Sequence, residues 1–277
     1  MPEIKLDKCI QCLKCVNDCP SGAINIESGV IDPSCIHCGH CVAICPESTI
    51  YPDKGEIKKL EAVGILPVNF ENLSATLRTC RSYQSKEIDS ETMELLLENM
   101  KHYPSASNSR PLEITHVKSK DMVEKLNDTT AYTLIKSFNF ISSPLLKPLV
   151  KVFAPSIDIP KLAKYKDTFI EKQKPGSSQV CYHAPSVLIF HGPVTKFGMA
   201  AADAYIWATY TSIYAHTLGL GTCFNGFISN AMKRSKSMRA AFNIPAKHQV
   251  YAALLVGYPK VKYVNQVGRE KPKAHTL

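Results

Sequence analysis

No run of about 20 consecutive apolar residues, the length a bilayer-spanning helix needs, occurs in this chain. The longest mostly apolar stretch, residues 199–220, carries Asp203, His216 and many hydroxyl groups, and residues 138–153 are broken by Pro144, Lys147, Pro148 and Lys151. A membrane span is therefore not expected. The opening residues, MPEIKLDK, hold no apolar stretch and no cleavage site, so a secretory signal is not expected and a reducing cytoplasm is the anticipated setting. Intrinsic disorder is set aside by composition, with 45% apolar and 21% charged residues. The formal charge is +9, yet no recognised nucleic-acid motif accompanies it, and nucleic acid is not an expected partner. That charge is uneven: residues 1–60 hold six Lys/Arg against eight Asp/Glu, and residues 61–277 hold 27 against 16. The basic portion suits anionic ligands or partners. A length of 277 residues allows one large domain, or a small and a medium one.

Cysteine is what the chain has in excess: 11 in all, eight of them within the first 45 residues. Such crowding means a disulfide scaffold or a thiolate metal site, and the expected reducing compartment favours metal. Cys9, Cys12, Cys15 and Cys19 recur 26 residues later as Cys35, Cys38, Cys41 and Cys45, and each set is followed by a proline, Pro20 and Pro46. A pair of zinc sites is the competing reading, but zinc prefers two C-x2-C pairs separated by a longer spacer. The doubled C-x2-C-x2-C-x3-C-P pattern resembles the two-cluster bacterial ferredoxins. The resemblance implies two 4Fe–4S clusters, one held by Cys9, Cys12, Cys15 and Cys45, the other by Cys35, Cys38, Cys41 and Cys19. Ile10, Ile36, Val42 and Ile44 are expected to pack around them and exclude water.

The expected division is a cluster module at residues 1–60 and a larger domain at 61–277, joined by a charged, Gly/Pro-punctuated connector at 53–68. The larger domain opens with a predicted helix over 70–78 that runs into Arg78-Thr79-Cys80-Arg81-Ser82-Tyr83. Two arginines three apart at a helix end share a face and can converge on one phosphate. A turn-like segment, Tyr103-Pro104-Ser105-Ala106-Ser107-Asn108, precedes a predicted strand over 112–117. A buried strand over 184–190 and a long helix over 198–218 follow. The helix ends at Gly219-Leu220-Gly221-Thr222, where glycine reads as a C-terminal stop. Then come Cys223-Phe224-Asn225-Gly226, a short helix, a strand over 251–257, and Arg269.

These pieces in this order resemble the nitroreductase family, and the whole resembles a ferredoxin–nitroreductase fusion. The resemblance implies an α+β architecture: a small two-cluster ferredoxin-like module plus a mixed sheet flanked by helices. It further implies a homodimer with FMN at the subunit interface. By motif, Arg78, Thr79 and Arg81 would hold the FMN phosphate and ribityl chain, with Arg269 completing the phosphate site. Pro104, Ser105, Ala106 and Asn108 would approach the flavin from the partner chain. Cys223, Asn225 and Gly226 would form the turn beside flavin N5, with Gly226 as backbone donor. Two departures stand out: the positions around Val267 lack the lysine that some members use beside the late arginine, and Asn225 stands where some members carry an acid. Both put NAD(P)H as direct donor in doubt and leave a ferredoxin or other donor as an electron source.

Residues 131–182, with eight Lys against three acids, are the least family-like and are expected to form an inserted cap over the flavin. Cys80, Cys181 and Cys223 read as small buried hydrophobes, and Tyr205, Trp207, Tyr210 and Tyr214 as packing within a dimer core. The functional expectation is an iron–sulfur flavoprotein oxidoreductase, an FMN-dependent nitroreductase-like enzyme. It would pass electrons from the clusters to FMN and on to a small organic acceptor such as a nitroaromatic, quinone or activated alkene. No residue is singled out as a proton donor. The alternatives are an electron carrier using FMN as a relay to a protein partner, and a flavin-free cluster sensor.

Overall fold

The computed structural model describes every residue except 54, 61–63, 142, 144–166, 168–169, 171–176, 195–197 and 277. The chain divides into two compact units: Met1–Leu66 with Ser105–Arg110, and Pro67–Pro104 with Pro111–Leu277. Among the described residues no helix is long and apolar enough to cross a membrane.

In the first unit the sequence repeat becomes a repeat of backbone shape. β1 (Glu3–Ile4) pairs antiparallel with β4 (Ile50–Tyr51), and β2 (Ile24–Asn25) with β3 (Val30–Ile31). Between them sit two single-turn helices, α1 (Lys14–Asn17) and α2 (His40–Ile44), each carrying the third cysteine of its run. Gln11 and His37 occupy the same place in the two repeats, and both have left-handed φ, 50° and 53°. Leu13 and Gly39 match as well, at 58° and 77°. Non-glycine residues adopt this conformation rarely, so its recurrence at matched positions reflects a constraint imposed by the loops. The core is small: Ile4, Cys15, Cys41 and Ile50 are buried, with Ile24, Ile26, Ile31 and Val42 packed against them. Ile44 is exposed, contrary to expectation, while Ile10, though solvent-exposed, lines the hollow that holds Cys9, Cys12, Cys15 and Cys45.

The second unit is built on a four-stranded antiparallel sheet in the order β5-β6-β8-β7, comprising β5 (Glu113–Val117), β6 (Ser186–Pro193), β7 (Gly221–Phe224) and β8 (His248–Gly257). A parallel bridge from Thr79 to Thr222 adds the mixed character. Both faces are covered. α3 (Pro67–Thr76) opens the unit; α4 (Ser90–Asn99) and α6 (Ala200–Thr217) pack with Leu188, Phe190, Ala252 and Leu254 on one face. Ala200, Ala204 and Ala208 of α6 present no bulk, so the helix can lie close to the sheet. The other face packs α5 (Lys120–Ile141), α7 (Gly226–Arg234) and α8 (Lys236–Ala241) through Val123, Leu126, Ile228, Met232 and Met238. Covered on both sides, β8 reads as a continuous apolar run.

Gly219 is the helix stop anticipated for α6. Its φ is +75°, and Leu220 N–H donates to Ala215 C=O at 2.9 Å, closing a Schellman turn. Position 131, where the cap was expected to begin, falls inside α5, whose Ala131 and Leu134 are buried in the core. Leu145, Leu146, Leu149, Val150 and Phe153, the apolar residues assigned to that cap, lie outside the described residues.

Candidate functional site

Two sites emerge, one in each unit. In the first, Cys9, Cys12, Cys15 and Cys45 line one hollow together with Ile10, Leu13 and Ile50, so the set implied by the crossed ferredoxin pattern converges in space. Cys41 lies within electrostatic reach of Cys35 and Cys38. The sulfurs are met by backbone donors at matched positions. Gln11 N–H and His37 N–H each donate to the first cysteine of their run, Cys9 and Cys35, at 3.4 Å. Ala23 N–H donates to Cys19 Sγ at 3.3 Å and Thr49 N–H to Cys45 Sγ at 3.4 Å. Donors of this kind favour thiolate over thiol. Cys19 and Cys45 are accordingly held below the ordinary thiol range: burial pushes each up, but their hydrogen bonds together outweigh it. Cys15 and Cys41, deeper in the module, are pushed up by burial.

The second site is a cleft of about 260 Å³ lined by Arg81, Tyr182, Cys223, Phe224, Asn225, Gly226, Phe227 and Asn230. The expected helical placement of the arginine pair is not what occurs. α3 ends at Thr76; Thr79 then bridges Thr222 of β7, Cys80 N–H donates to Thr222 C=O at 2.8 Å, and Tyr83 bridges Pro259 beyond β8. Cys80 is buried, so the segment is anchored by its alternate residues and leaves the helix. Tyr83 O–H donates to Cys80 C=O at 2.8 Å and locks it. Arg81 thereby reaches the Cys223 thiol; burial pushes that thiol up while the guanidinium pulls the other way. Arg78 Nη1 donates to the carbonyls of Ala75 and Leu77, at 2.8 and 2.7 Å, whereas its Nη2 is buried without a protein partner.

Asn225 caps α7: its Oδ1 accepts from Ile228 N–H at 3.0 Å and its Nδ2 donates to Val180 C=O at 2.6 Å. Its own N–H donates to Ala253 C=O at 2.8 Å. Every polar atom of its side chain is thus engaged in holding the turn. A Cβ placed on Gly226 would come no nearer than 3.9 Å to any side chain, so this glycine leaves space that the protein does not fill. The first turn of α7 also presents the positive end of a helix dipole.

A model of the nitroreductase family matches residues 75–258, two thirds of the chain. The chain belongs to the nitroreductase family. A model of the 4Fe–4S dicluster domain matches residues 1–54 ahead of it. Among solved structures, a nitroreductase with bound FMN from Bacteroides fragilis is 18% identical with a TM-score of 0.57, covering 75% of this chain and 97% of its own. Another nitroreductase with bound FMN, from Desulfitobacterium hafniense, is 16% identical with a TM-score of 0.56, over 75% and 97%. A BluB-like flavoprotein from Clostridium difficile is 13% identical with a TM-score of 0.54, over 73% and 94%. At such identities the likeness shows the fold. No curated protein matches the chain.

Within this nitroreductase, then, Arg81, Cys223, Asn225 and Gly226 share the cleft, and Thr79 sits on the strand bridge at its edge. Ser105, Ala106 and Asn108 belong to the first unit, where Asn108 Nδ2 donates to His37 C=O at 2.8 Å, between Cys35 and Cys38. Neither they, nor Pro104, nor Arg269 on the exposed segment after β8 line the cleft. Four lining residues escaped the sequence reading: Tyr182, Phe224, Phe227 and Asn230. Phe224 and Phe227 flank the quoted Asn225-Gly226 turn, so their proximity was a usable signal. Tyr182 was not legible; it and His183 have left-handed φ of 52° and 56°, a feature only the backbone reveals.

Proposed function

We propose that this chain is an iron–sulfur flavoprotein oxidoreductase, with two 4Fe–4S clusters on the eight N-terminal cysteines and FMN in the Arg81–Gly226 cleft. The observation that carries this reading is the convergence of Arg81 with the N-terminal turn of α7 in one cleft; three residues earlier in the chain, the half-buried Arg78 has an Nη2 atom shielded from solvent without a protein partner. Two guanidiniums and helix N–H groups suit a phosphorylated, anionic cofactor. When bound, FMN supplies the exchange between one-electron carriers and two-electron reduction of a small organic acceptor.

The chain's own residues bind and orient. Arg78 and Arg81 hold the phosphate, Thr79 the ribityl hydroxyls, and the open side of Gly226 admits the ring to backbone contact. Tyr182, Phe224 and Phe227 shed water from the ring's surroundings. Burial pushes the Cys223 thiol above its ordinary value, with the Arg81 guanidinium opposing. Asn225 is a positioning residue, holding the turn through its cap. Pro104, Ser105, Ala106 and Asn108 serve the flavin of a second subunit in a homodimer, and Arg269 completes the phosphate site. Tyr205, Ile206, Tyr210, Phe224 and Phe227 are large exposed apolar side chains, the last two on the cleft itself, and suit such an interface.

Anaerobic single turnover tests the reading. Protein reduced through its clusters and mixed with a nitroaromatic or a quinone should lose reduced-flavin absorbance with stoichiometric product. Reduced flavin that persists with every small acceptor would favour a relay to a protein partner. A preparation containing iron but no flavin would refute the FMN assignment.

A further inference from the structure

Away from the cleft, the end of the sheet gathers three side chains that metal ions favour. Glu113 on β5 is the direct cross-strand partner of His191 on β6. The β6–β8 register slips between Phe190 and His191: Phe190 faces Ala252, His191 faces Val250, and Tyr251 is the extra residue. In an unbroken register Pro193 would face Gln249, which would turn His248 to the opposite sheet face. The bulge instead sets Pro193 against His248 and places His248 on the face of His191.

The consequences are visible in the distances. The Nδ1 atoms of His191 and His248 lie 3.0 Å apart, and Glu113 Oε2 is 3.9 Å from His248 Nδ1. One ligand atom from each of the three falls within 4.8 Å of the other two. Two ligands at about 2.0–2.1 Å from one tetrahedral zinc ion stand roughly 3.3 Å apart, so the histidine pair is close to chelating distance. The exposed Glu113 can close the remaining gap by turning its carboxylate. His191 Nε2 is 2.9 Å from Thr115 Oγ1, which would accept its proton and leave Nδ1 as the free lone pair. Such a partner on the far ring nitrogen is the usual support of a ligating histidine. His191 is buried, His248 half-buried and Glu113 exposed, which gives an ion a route in and leaves coordination positions for water.

We propose that Glu113, His191 and His248 form a site for a divalent transition-metal ion of the zinc class, clipping β5, β6 and β8 together. Two imidazoles and one carboxylate match the ligand preferences of that class. The site is separate from the flavin cleft: none of the three lines it, and Ala253, which receives Asn225 N–H, lies on the order of 15 Å along β8 from His248 at the usual strand rise.

The test uses the full chain with its iron in place. Under anaerobic conditions it is titrated with Zn²⁺, dialysed, and assayed for zinc and iron together. The expected result is one retained zinc with iron unchanged, an affinity weakened at least about tenfold in His248→Ala and in Glu113→Gln, and a zinc-dependent rise in thermal midpoint in the parent protein. Glu113 is exposed, so its variant keeps the test decisive if His248→Ala folds poorly. The proposal is overturned if no saturable zinc uptake occurs, or if both variants bind zinc as the parent does. Zinc uptake matched by iron loss assigns the metal to the cysteines and equally overturns it. Repeating the titration with Arg81→Ala separates this site from the flavin reading, since that variant should bind zinc normally.

Discussion

A Cβ on Gly221 would lie 2.8 Å from both Cβ and Sγ of Cys80, closer than any relaxed contact. The second glycine of Gly219-Leu220-Gly221 therefore serves close packing, unlike the first, which ends a helix. Gly221→Ala should cost roughly 1–3 kcal/mol through overpacking and push residues 78–83 away from β7, so flavin content should fall with stability. Chemical denaturation with parallel flavin assay checks this; an unchanged midpoint would contradict it. Arg81→Ala should lower flavin content severalfold while iron stays constant. Parallel loss of both cofactors would show that the two sites are not independent.

Elements, in turn, place these residues. α7 begins where it does because Asn225 accepts from Ile228 N–H, while its amide also ties the turn to Val180 C=O. Asn225→Ala removes the cap and leaves a buried carbonyl unpaired, together about 2–4 kcal/mol of destabilisation. Asn225→Asp keeps the acceptor but loses the donor to Val180, and should fall between the parent and the alanine variant. Thermal unfolding of the three proteins gives the order directly. α6 shows the opposite economy: its alanines meet the sheet, while Tyr205 and Tyr210 remain exposed. Trp207 stacks on Tyr103 with ring centroids 4.3 Å apart.

At the scale of the whole molecule, the exposed aromatic strip on α6 and α7 governs assembly in the proposed dimer. Tyr210→Glu should shift sedimentation from dimer toward monomer and reduce flavin retention; a variant that stays dimeric would move the interface elsewhere. Stability should also depend on pH on the alkaline side. Burial, reinforced by Asp128, pushes the Cys181 thiol up to about 12. A thiol whose folded value is raised leaves stability intact below the ordinary value near 9.0 and removes it as pH climbs toward about 12. Unfolding midpoints measured across that interval should fall in the parent and fall less steeply in Cys181→Ala.

The eight candidate cluster cysteines were legible from one sequence because their pattern is local: cysteines two or three residues apart share a loop, and the 26-residue repeat announces the second set. The glycine-bounded C-terminal end of α6 and the apolar run of β8 were legible too, since a C-terminal cap and double-sided burial leave a linear signature. By itself the sequence determined the ferredoxin-like module, the order of the nitroreductase elements and the motif residues proposed for the flavin. What tertiary structure alone decided is which of them meet. Arg81 reaches Cys223 only because the chain leaves the helix after Thr76 and bridges Thr222 of β7 at Thr79, a pairing between distant segments with no local code. Tyr182 enters the cleft on a left-handed turn, and His248 joins His191 through a single bulge in β8. A strand's side chains alternate faces, so one extra residue reverses which face every later side chain occupies. That parity is a property of the paired register, and no single strand carries it.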